Sequence, residues 1–235
     1  MNYNDIQVEE QTLTKTFWHR NCFKVSRTYI FLKEIKMNKF LIFALTCFLA
    51  LPSVASISAN MAFSSDYIWR GMTQTSGDPA ISGGFDFESE TGFYAGIWGS
   101  NVSFSDGAGS ELDTYFGYGF SLGDVEVDIS YVDFGYPGDS GLDFQEIGIA
   151  LGYSNFGFGY FSGQDGAPDY MDLSYSVGDF TLNYGNYDTF GTNYGLVYSF
   201  GCGAYDCALT YSDFSSDNVD LLDEDALVFS VSASF

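Results

Sequence analysis

Side chains able to do chemistry are few in this sequence, and most of them are carboxylates. The chain has 31 Asp and Glu, eight Lys and Arg, and a single His, His19. All basic residues except Arg70 lie within the first 39 positions. Acid–base and nucleophilic catalysis usually depend on a His or Lys beside the reacting group. Neither occurs after residue 39, so the sequence predicts no enzyme and no cofactor.

Carboxylates remain as the only abundant reactive groups. Glu126 and Asp128 share one face of a predicted strand, but acids on a polar strand face are more often solvated than catalytic. The acidic stretch 213–225 lacks the D-x-D-x-D-G spacing of a dedicated calcium loop. We therefore predict a solvated loop there and no metal site.

The charge of the chain divides sharply along its length. Four of the 31 acids precede residue 60, which leaves 27 acids and Arg70 after it, a net charge of about −26. We expect no binding to nucleic acid, because the chain after residue 39 has no cluster of Lys and Arg to neutralise phosphates.

Arg70 is the penultimate residue of the segment NMAFSSDYIWRG, residues 60–71, in which apolar and polar residues alternate. The alternation predicts one strand with Arg70 on its polar face. We expect the guanidinium to pair with a carboxylate on the polar faces, either in a structural ion pair, which we favour, or at a constriction that controls solutes. The candidates are Asp66, Asp86, Glu111, Asp113 and Asp128.

The elements that position these groups begin after a leader. Met37-Asn38-Lys39 precedes an apolar run that ends in small residues, which is typical of a secretory signal peptide. We assign 37–59 to that signal, with cleavage after Ala55 or Ala59, and 60–235 to the exported domain. Residues 1–36 are then a mis-assigned upstream extension. The apolar run is shorter than the roughly 20 residues of a spanning helix.

Cys202 and Cys207 are the only cysteines after the signal peptide. An even pair in an oxidising compartment favours a disulfide. The alternative is two unpaired small residues, because a short loop can fail the geometry that a disulfide requires.

From residue 60 onward the sequence shows about twelve alternating segments and no helical period. Periodicity does not separate a soluble β-sandwich from a membrane barrel, because both have one apolar face. Connector lengths separate the two folds, since short links alternate with longer ones. The short links lie at 89–92, 121–124, 154–155, 178–179 and 201–204. This pattern predicts an all-β fold, a closed antiparallel transmembrane β-barrel of about 12 strands in the bacterial outer membrane.

The chain ends in mid-strand with VFSVSASF, residues 228–235. We expect this strand to pair with the first and close the ring, which leaves no free edge. A C-terminal aromatic, here Phe235, resembles the signal read by the barrel assembly machinery. Aromatic girdles at the two lipid interfaces are predicted for Tyr67, Trp69, Tyr118, Tyr131, Tyr160 and Tyr198.

Residues 64–102 also carry a set of ordered motifs. They read S-D-Y-x-x-R-G, D-P-A, G-G-F-D and G-F-Y-x-G-x-W-x-S-N, and ELDTYFGY follows at 111–118. In these stretches the sequence resembles the TorF-type porin family. The resemblance implies an outer-membrane barrel with pore activity and without an established substrate.

These observations predict a porin-like outer-membrane channel for passive diffusion of small solutes or ions. Its acidic interior predicts a weak preference for cations. The expected partners are outer-membrane lipid, lipopolysaccharide, the assembly machinery and the solutes themselves. A non-conducting structural or adhesive barrel, plugged by its own side chains, is the alternative.

Overall fold

The structure, a computed structural model, describes residues 56–104, 107–217 and 223–235. The predicted upstream extension and the signal peptide as far as Ala55 lie outside these residues. The described residues contain no helix long and apolar enough to cross a membrane.

Twelve antiparallel strands of the described chain close into one barrel, and two shorter strands form a separate hairpin. The hairpin consists of β2 (Ile68–Trp69) and β3 (Met72–Thr73). The barrel strands are β1 (Ser56–Ser64), β4 (Ala80–Glu88), β5 (Phe93–Asn101), β6 (Ser110–Leu122), β7 (Val125–Gly135), β8 (Phe144–Tyr153), β9 (Phe156–Gly163), β10 (Tyr170–Val177), β11 (Phe180–Tyr187), β12 (Gly191–Cys202), β13 (Tyr205–Ser216) and β14 (Glu224–Ser234). The predicted fold class and strand number are confirmed.

The ring closes between the first and last strands. Met61 of β1 lies opposite Ala233 of β14, and the backbones of Ala59 and Phe235 exchange hydrogen bonds of 3.1 and 2.8 Å. The other edge of β1 pairs with β4 from Ser56 onward. Every barrel strand therefore has two neighbours, as backbone groups in lipid require.

Connections at one end of the barrel are short turns, at 89–92, 123–124, 154–155, 178–179 and 203–204. Those at the other end cover 65–79, 102–109, 136–143, 164–169, 188–190 and 217–223, and all except 188–190 are longer than any at the first end. The structure joins Cys202 and Cys207 by a disulfide across the 203–204 turn, with a Cα–Cα distance of 5.8 Å.

The outer face of the barrel is apolar. Large exposed side chains cover it on every side, among them Met61, Phe85, Ile97, Phe116, Ile129, Ile149, Leu173, Leu182, Leu196, Leu209 and Phe229. Four of the predicted girdle residues, Tyr118, Tyr131, Tyr160 and Tyr198, lie on this face. A soluble monomer rarely exposes so continuous an apolar surface.

The hydrophobic core lies inside the ring, toward the end with the long connections. It is built mainly from aromatic rings: Tyr67, Trp69, Trp98, Phe134, Tyr136, Phe144, Tyr170, Tyr187, Phe190 and Phe214. One of these rings, Trp69, belongs to the β2–β3 hairpin and another, Tyr67, directly precedes it. The hairpin therefore lies within the barrel rather than in its wall.

Candidate functional site in the barrel lumen

Residues 65–79, which we call the plug, leave the wall after β1 and fold into the lumen. Ile68 lies opposite Thr73 and Trp69 opposite Met72, so the two-residue turn between these strands is Arg70–Gly71. Both turn residues have positive φ, 45° and 91°. This matches a type I′ turn, which prefers Gly at its second position. The tip of the plug is therefore an Arg-Gly pair.

Asp66 holds the two arms of the plug together. One of its carboxylate oxygens accepts hydrogen bonds from the hydroxyls of Thr73, at 2.7 Å, and Thr75, at 2.8 Å. The backbone N–H of Tyr67 donates to the Thr75 hydroxyl at 3.1 Å, and that of Gln74 to the Tyr67 carbonyl at 2.6 Å. Asp66 is thus a structural residue of the plug.

Three further hydrogen bonds fasten the plug to its surroundings. The Thr73 N–H donates to Glu224 of β14 at 2.8 Å. The Ser103 N–H donates to the Gln74 carbonyl at 2.8 Å, and the Ser76 hydroxyl to the Ser103 carbonyl at 3.0 Å. The plug residues in these bonds lie between 73 and 76, after the tip. The tip, Arg70–Gly71, therefore depends on other contacts.

The prediction that residues 60–71 form one strand is wrong. The strand ends at Ser64, and Tyr67 and Trp69, predicted for the lipid girdle, are buried inside the barrel. Tyr67 packs edge-on against Trp98 at 5.6 Å between ring centroids, and Trp69 against Tyr187 at the same distance. Alternation identifies an apolar face, but it does not tell whether that face meets lipid or a packed interior.

Arg70 makes the principal contact of the plug tip. Its guanidinium binds Glu146 of β8 with both terminal nitrogens, at 2.7 and 2.6 Å, and both side chains are almost fully buried. Burial opposes the positive charge, but Glu146, Tyr187 and Tyr170 together more than offset it, so the pKa of Arg70 is raised above its ordinary value. Such a bidentate pair fixes orientation as well as charge.

Aromatic rings surround the same guanidinium. Its central carbon lies 4.1 Å from the centroids of Trp69 and Tyr170, 4.8 Å from Tyr187 and 5.7 Å from Phe161. Rings at these distances attract a cation through their π-faces. Arg70 is therefore held by one carboxylate and an aromatic cage.

None of the five carboxylates proposed from the sequence is the partner of Arg70. The prediction failed because Arg70 lies on an inward turn, so the register of β1 does not set its position. Glu146 had one detectable signal, its place on the polar face of the alternating segment FQEIGIALGY, residues 144–153. Nothing in the sequence indicated that the plug crosses the lumen to reach it.

The remaining candidates lie on the lumen wall at two levels. Glu111 and Asp113 are buried near the plug, and Glu111 accepts a hydrogen bond from the Tyr136 hydroxyl at 3.1 Å. Asp86 and Asp128 lie closer to the short turns. Asp86 accepts from the Asn60 amide at 3.0 Å and from the Tyr115 hydroxyl, and Asp128 from the Tyr94 hydroxyl at 2.9 Å.

Two of these tyrosines lie flat against the wall. In the register of β5 and β6, Tyr94 is opposite Gly117 and Tyr115 is opposite Gly96. A Cβ atom on either glycine would overlap the ring of the opposite tyrosine. Each ring therefore covers a glycine, and its hydroxyl reaches a carboxylate one strand further along. The tyrosines thus extend along the wall rather than across the lumen.

We expect Gly117→Ala to displace Tyr94 from Asp128 and destabilise the barrel by about 1–3 kcal/mol, as overpacking does. The measurement is the temperature at which the folded band is lost in a heat-modifiability gel. Gly201→Ala is the matched control, because a Cβ there meets nothing within 4 Å. Equal melting of the two variants would contradict this packing argument.

Within residues 56–104, 107–217 and 223–235, no group of three or more His, Cys, Asp or Glu side chains is arranged to hold a metal ion. The predicted acidic loop falls partly outside these ranges, at 218–222.

Comparison with known proteins gives one family match and several structural matches. The profile of Gcw_chp, a bacterial protein family of unknown function, matches residues 51–165, which include the plug and the strands from β1 to β9. No curated protein matches the sequence. The TorF-type family was not found in these comparisons, so that narrower resemblance stays a prediction.

Solved structures of porins and of an outer membrane channel are among the structural matches. A KdgM porin is 7% identical with a TM-score of 0.49, over 76% of this chain and 98% of that chain. A mutant porin of Rh. blastica is 17% identical with a TM-score of 0.35, over 77% and 99%. An outer membrane channel of Pseudomonas putida F1 is 11% identical with a TM-score of 0.37, over 79% and 96%. Values this low support no conclusion about solute.

Proposed function

We propose that this protein is an outer-membrane channel that the plug closes from the long-connection end. The observation that carries the proposal is the position of the plug inside a complete ring. Because all twelve wall strands pair without it, the plug can move while the wall stays closed. The apolar outer face supports a location in lipid, and export would use the signal peptide that begins at Met37.

The solutes we propose are small cations. Carboxylates line the wall at both levels of the lumen, and Arg70, the only cation after residue 39, is neutralised by Glu146. A lumen lined by one sign of charge concentrates counter-ions and repels ions of its own sign. The resulting preference should be weak, because salt screens it.

Reversal potentials across planar bilayers, with KCl unequal on the two sides, test this selectivity. We expect potassium to be the more permeant ion and its advantage to shrink between 0.01 M and 1 M salt, as the Debye length falls from about 30 to 3 Å. Replacing the wall acids Asp86 and Asp128 with Asn should reduce the selectivity. A more permeant chloride would contradict the proposal.

A specific observation favours the second candidate, a non-conducting structural or adhesive barrel. Aromatic rings from the plug and wall pack into one core inside the ring near the long connections. If this core is permanent, the protein stays silent in bilayers even when the plug is released. Recordings from plug-release variants therefore separate the two functions.

The assembly machinery and lipopolysaccharide are the partners we propose for a barrel in the outer membrane. The closing strand β14 ends at Ser234 and is followed by Phe235, which the assembly machinery would read. Lipopolysaccharide would contact the long connections. Deleting Phe235 should lower the amount of heat-modifiable barrel in outer-membrane fractions. Unchanged assembly would argue against this role for the C-terminal aromatic.

A further inference from the structure

The site that holds Arg70 is built mostly by the wall. Glu146, Phe161, Tyr170 and Tyr187 come from the consecutive strands β8, β9, β10 and β11, whereas Trp69 alone comes from the plug. The wall residues are fixed by the ladder pairing of their strands, for example Tyr170 opposite both Tyr187 and Phe161. The site should therefore keep its shape when the plug moves away.

The chemistry of these wall groups suits a guanidinium in particular. The two oxygens of Glu146 match the planar fork of a guanidinium, which an ammonium group does not present. Tyr170 and Tyr187 offer ring faces to a flat, weakly hydrated cation. Asp172, also on β10, is near enough to Arg70 to interact with it electrostatically. The wall thus combines charge, planarity and aromatic stacking.

Departure of Arg70 leaves the Glu146 carboxylate without its ion-pair partner. Glu146 would then be an acid inside the lumen without its cation, and the sequence has no other Lys or Arg after residue 39 to replace it. An uncompensated charge away from bulk water is costly. A cation from outside the protein is the available replacement.

We propose that the wall of the lumen carries a binding site for guanidino compounds, and that Arg70 is an internal ligand that occupies this site in the closed state. An external guanidino compound would compete with Arg70 and favour the open state. This gating role rests on the proposed channel function, whereas the binding site does not. In the wild type the affinity is masked, because only the small fraction without bound Arg70 is competent.

The test removes the internal ligand and supplies an external one. Arg70→Ala and Arg70→Gln barrels, purified from outer membranes, are titrated with methylguanidinium chloride, with tetramethylammonium chloride and methylammonium chloride at equal ionic strength as comparisons. The readout is the midpoint of thermal conversion in the heat-modifiability gel. We expect methylguanidinium to raise it, saturably and with at least about tenfold tighter binding than either ammonium.

A matched double variant links the effect to the site. Adding Glu146→Gln to Arg70→Ala should abolish the methylguanidinium shift, because the bidentate charged acceptor is gone. The wild type should show no shift at the same concentrations. An Arg70→Ala barrel that folds only with methylguanidinium would support the proposal equally well.

Three results would overturn the proposal. They are equal shifts with methylguanidinium and the two ammonium salts, a shift that survives Glu146→Gln, and failure of both Arg70 variants to fold with or without methylguanidinium. Bilayer recordings keep the two proposals separate. A barrel that binds methylguanidinium but never conducts would overturn the channel function and support the binding site. A barrel that conducts but does not bind methylguanidinium would support the channel function and overturn the binding site.

Discussion

Glu146→Ala is expected to convert the closed barrel into a conducting one. Removing one partner of a buried ion pair costs about 3–5 kcal/mol, because the other charge stays buried without compensation. Asp172 lies near Arg70 but makes no bidentate pair with it, so the guanidinium is stabilised more fully when the plug leaves the lumen. The expected shift in the ratio of open to closed states is therefore about 100-fold or more. Single-channel recordings in planar bilayers measure it as open probability.

Two controls make this result specific. Adding Arg70→Met to Glu146→Ala removes both charges, which is often close to neutral in energy, so the plug should return and conductance should fall. Asp179→Ala, in the 178–179 short turn, removes a carboxylate at the far end and should leave the channel closed. A folded Glu146→Ala barrel that stays silent would favour the non-conducting alternative.

Gly71→Val should open the barrel by a second route that leaves the ion pair chemically intact. Gly71 has φ of +91°, where a β-branched residue is strained by about 1–3 kcal/mol. Its Cβ would also lie 2.6 Å from the Asn193 Cβ and 3.0 Å from the Phe214 Cβ on the wall. We expect a rise in open probability together with greater access of protease to residues 65–79.

Gly77→Val is the matched control for this clash. Gly77 belongs to the same plug and has a similar φ of +80°, but a Cβ there meets nothing within 4 Å. It therefore carries the backbone strain without the collision. If the two valine variants open equally, the strain is responsible and the close fit of the plug tip to the wall is not.

The barrel could be predicted from the sequence because its rules are local. Alternation sets the strands, connector lengths set the two ends, and the pairing of β14 with β1 follows from the need to leave no edge. The segment after Ser64 obeys the same alternation and yet leaves the wall. What distinguishes it is the Arg70–Gly71 turn and the hydrogen bonds that Asp66 accepts, neither of which a period of two reveals.

The site could be predicted only in part, for a related reason. The sequence identified Arg70 as exceptional and required a carboxylate for it, since charge is visible without structure. The choice of Glu146 depends on how far the plug reaches across the lumen, which is a long-range property. The packing of Tyr94 over Gly117 likewise depends on the register between β5 and β6. Arg70, Tyr94 and Gly117 lie in the ordered motifs at 65–71, 92–101 and 111–118. Their roles there follow from three-dimensional contacts.

The plug also connects distant parts of the ring. Its two ends join β1 and β4, beside the seam where β14 closes the barrel, whereas its tip binds β8, which is the sixth strand around a ring of twelve. The ion pair of Arg70 with Glu146 thus spans the cross-section like a tie between nearly opposite walls. A barrel whose nearly opposite strands are connected in this way resists flattening, and a barrel without the connection is easier to deform. We therefore expect unplugging to soften the whole ring, so that permeability and mechanical stiffness change together.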